Sequence, residues 1–135
     1  MDNRELIQLA LEAREMAYAP YSKYMVGAAL LTKKGKVYKG CNIENAAYTP
    51  SNCAERTAFF KAVGEGEREF EAIAIVGGYR GMPTSYAYPC GVCRQVMMEF
   101  CDPETFRIIT AISEGQYLER TLAELLPNGF GPNNL

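Results

Sequence analysis

Three cysteines and one glutamate are the residues of this chain from which a metal-dependent reaction could be built. Glu55 follows Cys53 by two positions, and Cys90 and Cys93 form a Cys-x-x-Cys pair. Two sulfurs at this spacing can face one ion, and a third sulfur from a distant segment completes a three-thiolate site. Such a site keeps one tetrahedral position open for water, which distinguishes a catalytic zinc from a structural one. Glu55 is placed to accept and return the protons of that water.

The absence of histidine narrows the chemistry further. The 135 residues contain no histidine and five cysteines. Nucleophilic systems that pair serine or cysteine with histidine are therefore excluded, as is every metal site that needs imidazole. Three thiolates suit zinc, a borderline-soft ion that does not change oxidation state. We predict one zinc ion per chain.

The two remaining cysteines decide whether this site is open or closed. Cys101 lies eleven positions after Cys90 on the same predicted helix. That separation is about 16 Å along the helix axis, so Cys101 is not expected to reach the metal. Cys41 ends a predicted strand, and the sequence alone leaves open whether it approaches the site.

Two other classes of function use the same cysteines. With a fourth protein ligand, the chain would be a structural zinc module with an interaction role. Alternatively, Cys90 and Cys93 resemble the redox pair of a thioredoxin-like protein. The redox interpretation gives Cys53 and Glu55 no role, and we therefore favour the catalytic zinc.

A zinc ion bound by three thiolates carries a net negative charge, which makes its bound water less acidic. Hydrogen bonds from guanidinium groups to the sulfurs would withdraw this excess electron density. Arg56 directly follows Glu55, and Arg94 directly follows Cys93. We predict that both arginines support the thiolates in this way, although either could be an ordinary surface residue of a helix.

Length, composition and charge bound the class of protein. The length of the chain predicts that residues 1–135 form one domain. Charged residues make up 22% and apolar residues 48%, which is typical of a globular protein. The net charge is −2 and the pI about 5.3, so no strongly basic field would attract nucleic acid. The apolar runs are too short to span a membrane, and the N-terminus does not resemble a signal peptide. We predict a cytoplasmic protein with reduced thiols.

The elements that must position these residues alternate along the chain. Hydrophobic periodicity, glycines and prolines predict the order helix, strand, strand, helix, strand, helix, strand, strand, helix. This order indicates a single α/β domain with helices covering a sheet. Cys53 and Cys90 fall at predicted helix starts, where free N–H groups and positive potential stabilise thiolates.

Together, Cys53-Ala54-Glu55 and Pro89-Cys90-Gly91-Val92-Cys93 resemble the zinc-dependent cytidine deaminase superfamily. Ala19-Pro20-Tyr21-Ser22 and the segment from Gly40 to Tyr48 are similar to its small homotetrameric members. The resemblance implies a three-layer α/β/α sandwich around a mixed five-stranded sheet. It also implies hydrolytic deamination of cytidine and 2′-deoxycytidine in pyrimidine salvage. Within the superfamily, a deaminase of another aminated heterocycle, such as blasticidin S, is the alternative.

The resemblance assigns substrate-binding roles to four further residues. Asn42 and Glu44 match residues that hydrogen-bond the ribose hydroxyls. Tyr24 stands beside the base, where the family usually has phenylalanine, so its hydroxyl needs a partner. Backbone groups near Ala54 would help to hold the pyrimidine.

The resemblance also implies active sites shared between subunits. Phe130 matches an aromatic residue that a neighbouring subunit supplies. Ala46 and Tyr48 lie in a segment that crosses the same interface. By this resemblance the protein is a homotetramer with composite active sites, and its substrate is a small nucleoside.

Overall fold

One mixed five-stranded sheet organises the chain in the computed structural model, which describes residues 1–135. The helices are α1 (Asn3–Arg14), α2 (Ala54–Gly64), α3 (Gly91–Phe100) and α4 (Leu122–Leu125), followed by a 3-10 turn (Pro132–Asn134). The strands are β1 (Tyr24–Thr32), β2 (Val37–Cys41), β3 (Phe70–Tyr79), β4 (Arg107–Ser113) and β5 (Gln116–Thr121). Their spatial order is β2-β1-β3-β4-β5, and only β3 and β4 run parallel. The predicted α/β class, mixed sheet and order of elements are confirmed.

Helices α1 and α4 begin at residues that satisfy their free N–H groups. Asp2 and Glu5 form a reciprocal capping box at the start of α1, with hydrogen bonds of 2.9 and 3.0 Å. Thr121 and Glu124 repeat this arrangement at α4. None of the helices has the length and hydropathy needed to cross a bilayer.

Alternating side chains of the sheet form two cores, one on each face. Along β1, Ala28 and Leu30 pack in the core covered by α2, α3 and α4, whereas Ala29 and Leu31 pack in the core covered by α1. Successive residues of a strand point to opposite faces, so one strand serves both cores. The result is three layers, with helices on both sides of the sheet.

Glycine lets helix α2 lie directly on the sheet. A methyl group at Gly40 of β2 would lie 2.5 Å from the Ala54 carbonyl oxygen and 2.5 Å from the Ala58 nitrogen. Any larger residue would therefore displace α2, whose first turn carries Glu55, the predicted catalytic residue. The close approach fixes the height of that turn above the sheet.

Strand β3 extends beyond the segment Ala72 to Val76 that its hydrophobicity predicts. The glycines that suggest a loop, Gly77 and Gly78, belong to the strand. A methyl group at Gly77 would lie 2.6 Å from the Cβ of Ala87 and 2.9 Å from the Tyr24 hydroxyl oxygen. Glycine here marks a close approach of neighbouring segments rather than the end of the strand.

Candidate metal centre and active-site cavity

The three predicted ligand sulfurs lie together. The Sγ atom of Cys90 is 3.8 Å from that of Cys53 and 3.5 Å from that of Cys93, and all three lie within 4.8 Å of one another. Tetrahedral zinc with bonds of about 2.3 Å places its sulfurs about 3.8 Å apart. The donor set and its spacing therefore fit zinc. Cys41 and Cys101 lie outside this cluster.

Two helix starts bring the sulfurs together. Cys53 is the N-cap residue of α2 and Cys90 that of α3, both with extended backbone, and neither sulfur caps its own helix. Cys93 lies one turn into α3 and is buried. The N–H groups and dipoles of both helices therefore favour negative charge on the sulfurs.

Arg56 contacts the cluster directly. Its Nη2 atom donates a hydrogen bond of 3.2 Å to the Sγ of Cys53. The neighbouring Cys93 side chain, together with this guanidinium, lowers the pKa of Cys53 to about 5. The Arg56 guanidinium therefore favours the thiolate form of Cys53.

Arg94 does not make the hydrogen bond to a thiolate that its position predicts. Its Nε atom donates to the Pro89 carbonyl oxygen at 2.8 Å, and its Nη1 atom donates to the Leu125 carbonyl oxygen, also at 2.8 Å. The planar guanidinium is therefore committed to two backbone groups. Arg94 ties the residue that precedes Cys90 to the end of α4, and so supports the metal centre through the backbone.

Glu55 lies in the first turn of α2 with only 4% of its surface exposed. Burial raises its pKa to about 7, and the negative charge of Cys53 acts in the same direction. A carboxyl group with a pKa near neutrality can both accept and return a proton during a reaction. The position and protonation of Glu55 therefore suit acid–base chemistry.

A cavity of about 410 Å³ opens beside the sulfurs. Its metal side is lined by Cys53, Cys90, Glu55 and Arg56. The other residues with predicted roles that line it are Asn42, Glu44, Tyr24 and Ala54. The volume is in the range of small-molecule sites.

Comparison with known families identifies this arrangement. Residues 1–109 match the family model described as the cytidine and deoxycytidylate deaminase zinc-binding region. The chain belongs to the cytidine and deoxycytidylate deaminase family. The predicted membership and the zinc cofactor are thereby confirmed.

Relatives in this family match almost end to end. A cytidine deaminase of Sporosarcina psychrophila is 52% identical over 135 residues, covering 100% of this chain and 96% of the relative. The crystal structure of a cytidine deaminase from Burkholderia pseudomallei superposes with a TM-score of 0.87 at 48% identity, covering 96% of this chain and 100% of that one. A blasticidin-S deaminase of Bacillus cereus is 31% identical over 133 residues, covering 96% of this chain and 92% of the relative. Identity is thus higher with these two cytidine deaminases than with this blasticidin-S deaminase.

In this deaminase, hydrogen bonds between Asn42 and the backbone of β1 fix the polar side of the cavity relative to Tyr24 on its aromatic side. The Asn42 amide accepts a hydrogen bond from the Val26 nitrogen at 2.9 Å and donates one to the Tyr24 carbonyl oxygen at 2.8 Å. Burial raises the pKa of Tyr24, and the neighbouring Ser85 side chain opposes that rise.

Three residues with predicted substrate roles do not line the cavity of a single chain. Ala46 is exposed, Tyr48 is 74% exposed and Phe130 is 57% exposed. The backbone carbonyl of Phe130 accepts a hydrogen bond of 2.8 Å from the Gln95 amide, which fixes its segment against α3. Their side chains therefore remain available at the surface.

The cavity is also lined by aromatic residues whose role the sequence does not predict. Tyr86 and Tyr88, from the loop before Cys90, line it with ring centroids 6.4 Å apart. The sequence signal is their position, two and four residues before Cys90. These rings add an aromatic wall beside the metal centre.

Zinc content tests the ligand set. Cys90→Ser should reduce bound zinc from about one ion per chain to a small fraction of that, because hydroxyl oxygen is a much poorer zinc ligand than thiolate sulfur. Cys41→Ala is the matched control and should retain the full ion. Elemental analysis of gel-filtered, folded protein measures both. Loss of zinc from Cys41→Ala would contradict the three-sulfur assignment.

Proposed function

We propose that this chain catalyses the zinc-dependent hydrolytic deamination of cytidine and 2′-deoxycytidine to the corresponding uridines and ammonia. The observation that carries this proposal is a buried carboxyl group, Glu55, beside three clustered sulfurs in a cavity of about 410 Å³. The cytidine deaminases among its relatives support the choice of substrate.

The chemistry divides between the metal and Glu55. Cys53, Cys90 and Cys93 would hold the zinc ion, which would supply an acidified water as nucleophile. Glu55 accepts a proton from that water and delivers it to N3 of the pyrimidine, which makes C4 electrophilic. After the oxygen has bonded to C4, Glu55 takes the remaining proton from the new C4 hydroxyl and passes it to the departing amine. The C4–N bond then breaks and C4 becomes a carbonyl carbon. Water is consumed and ammonia is released.

The cavity walls would hold the nucleoside in place. The backbone near Ala54 holds the pyrimidine and Tyr24 packs beside it, while Asn42 and Glu44 receive the sugar. Because the Glu44 carboxylate would repel a 5′-phosphate, the free nucleoside is the better substrate. Arg56 withdraws charge from the sulfurs and keeps the attacking water reactive.

The active form is a homotetramer whose sites combine residues of two or more subunits. Phe130, Ala46 and Tyr48 of one subunit would complete the cavity of another. Their exposure and their positions outside the cavity of a single chain support this arrangement.

The setting is pyrimidine salvage in the cytoplasm, with residues 1–135 acting as one domain. All five cysteines are free thiols, as suits a reducing compartment. The net charge of −2 provides no electrostatic attraction to nucleic acid, consistent with action on free nucleosides.

Replacing Glu55 tests its acid–base role. Glu55→Gln should lower kcat for cytidine by at least about 100-fold while zinc stays bound, since the amide cannot shuttle protons. The fall in ultraviolet absorbance on conversion to uridine measures the rate. Glu114→Gln, at an exposed turn, is the matched control and should remain fully active. Near-normal turnover by zinc-loaded Glu55→Gln would refute the mechanism.

Mixing two variants tests the composite site. Glu55→Gln and Phe130→Ala should each be impaired as homo-oligomers. Co-refolding them should recover activity, because some sites then combine an intact Glu55 with an intact Phe130 from a neighbour. Each variant refolded alone is the control. If Phe130→Ala alone is fully active, or if mixing recovers nothing, sharing of Phe130 between subunits is wrong.

A further inference from the structure

The Glu44 carboxylate is held by one short turn of the chain. Its Oε1 atom accepts hydrogen bonds from the backbone nitrogens of Tyr21 at 3.0 Å and Ser22 at 3.1 Å. Its Oε2 atom accepts a hydrogen bond from the Ser22 hydroxyl group. An ionised carboxylate offers about four acceptor positions. Three are filled, and the fourth lies on Oε2, the oxygen that the Ser22 side chain contacts.

The Ser22 hydroxyl also contacts a second wall of the cavity. Its Oγ atom accepts a hydrogen bond of 2.9 Å from the backbone nitrogen of Tyr24. Because an N–H group can only donate and a carboxylate can only accept, the hydroxyl proton must point to Glu44. Ser22, Tyr24 and Glu44 all line the cavity. One hydroxyl therefore fixes the carboxylate relative to the start of β1.

The turn that carries Ser22 is itself fixed. Lys23 adopts the left-handed conformation at φ 63°, which non-glycine residues seldom adopt. Its backbone nitrogen donates to the Ala19 carbonyl oxygen at 3.0 Å, and its Nζ atom donates to the Pro20 carbonyl oxygen at 2.6 Å. Such a conformation persists where its surroundings hold it, and it occurs often at ligand-binding sites. The turn is therefore an ordered support for Glu44.

We propose that Ser22 is the positioning residue for sugar recognition: it holds the Glu44 carboxylate so that one acceptor position on Oε2 faces the nucleoside. This inference rests on the proposed function, in which Glu44 binds the sugar hydroxyl groups. The Ser22 hydroxyl bond also lowers the pKa of Glu44, which keeps the acceptor ionised. Ser22 has no hydrogen bond to Glu55 or to the sulfurs, so it acts on binding rather than on the proton transfers.

The variant Ser22→Ala separates binding from chemistry. We expect KM for cytidine to rise about tenfold, because a hydrogen bond to a charged group is lost, while kcat changes less than about twofold. Ser22→Thr retains a hydroxyl and should restore KM to within about threefold of the wild type. A fall in kcat with unchanged KM, no change in KM, or no rescue by folded Ser22→Thr would each overturn the proposal.

Two further measurements show whether the effect passes through Glu44 and the sugar. The substrate analogue 2′,3′-dideoxycytidine lacks the two ring hydroxyl groups that could donate hydrogen bonds to Glu44. For this analogue, Ser22→Ala should change kcat/KM less than about twofold. In a Glu44→Gln background, adding Ser22→Ala should cause little further loss, as expected for coupled residues. Equal losses on cytidine and on the dideoxynucleoside, or additive losses in the double variant, would assign Ser22 a merely structural role.

Binding of uridine to the zinc-loaded protein keeps this inference separable from the proposed function. Titration calorimetry should show uridine binding about tenfold weaker to Ser22→Ala than to the wild type. A wild-type protein that binds uridine but does not deaminate cytidine would refute the proposed function. The uridine affinities of the wild type and of Ser22→Ala would still decide the role of Ser22. Equal affinities would overturn the positioning role of Ser22.

Discussion

The meeting of two helix starts is the constraint on which the site depends. Cys53 and Cys90 are the N-cap residues of α2 and α3, and the distance between their sulfurs leaves room for one ion. The residue before Cys53 is fixed by paired backbone hydrogen bonds of 2.9 and 3.0 Å between Asn52 and Ile43. Ile43 directly precedes Glu44. The same backbone pair therefore sets the distance between the metal centre and the carboxylate proposed to receive the sugar.

Crowding of negative groups governs the electrostatics of this centre. Three sulfurs and the buried Glu55 share one corner of the cavity, and each disfavours the ionised form of its neighbours. The helix dipoles and the Arg56 guanidinium offset part of this repulsion. A zinc ion held by the three sulfurs would supply the remaining positive charge. Metal binding and the proton transfer proposed for Glu55 are thus two consequences of the same arrangement.

The sequence predicted much of this because each signal was local. Hydrophobic periodicity, glycines and prolines indicate the order of elements, and the Cys-x-x-Cys spacing with Cys53 indicates the cluster. What the sequence could not show depends on contacts between distant segments. Arg94 follows a ligand, yet the course of α4 directs its guanidinium to the Leu125 carbonyl oxygen. Likewise, Gly77 resembles a loop residue, but its role is to admit the Tyr24 hydroxyl and Ala87 beside β3.

X-ray absorption at the zinc edge of the purified protein distinguishes an open zinc site with three sulfur ligands from a closed site with four. We expect three sulfur atoms at about 2.3 Å and one oxygen or nitrogen atom at about 2.0 Å. A transition-state analogue of the deamination should change only the oxygen or nitrogen component. A shell of four sulfur atoms, unchanged by the analogue, would show that the zinc is structural and that the site is not catalytic.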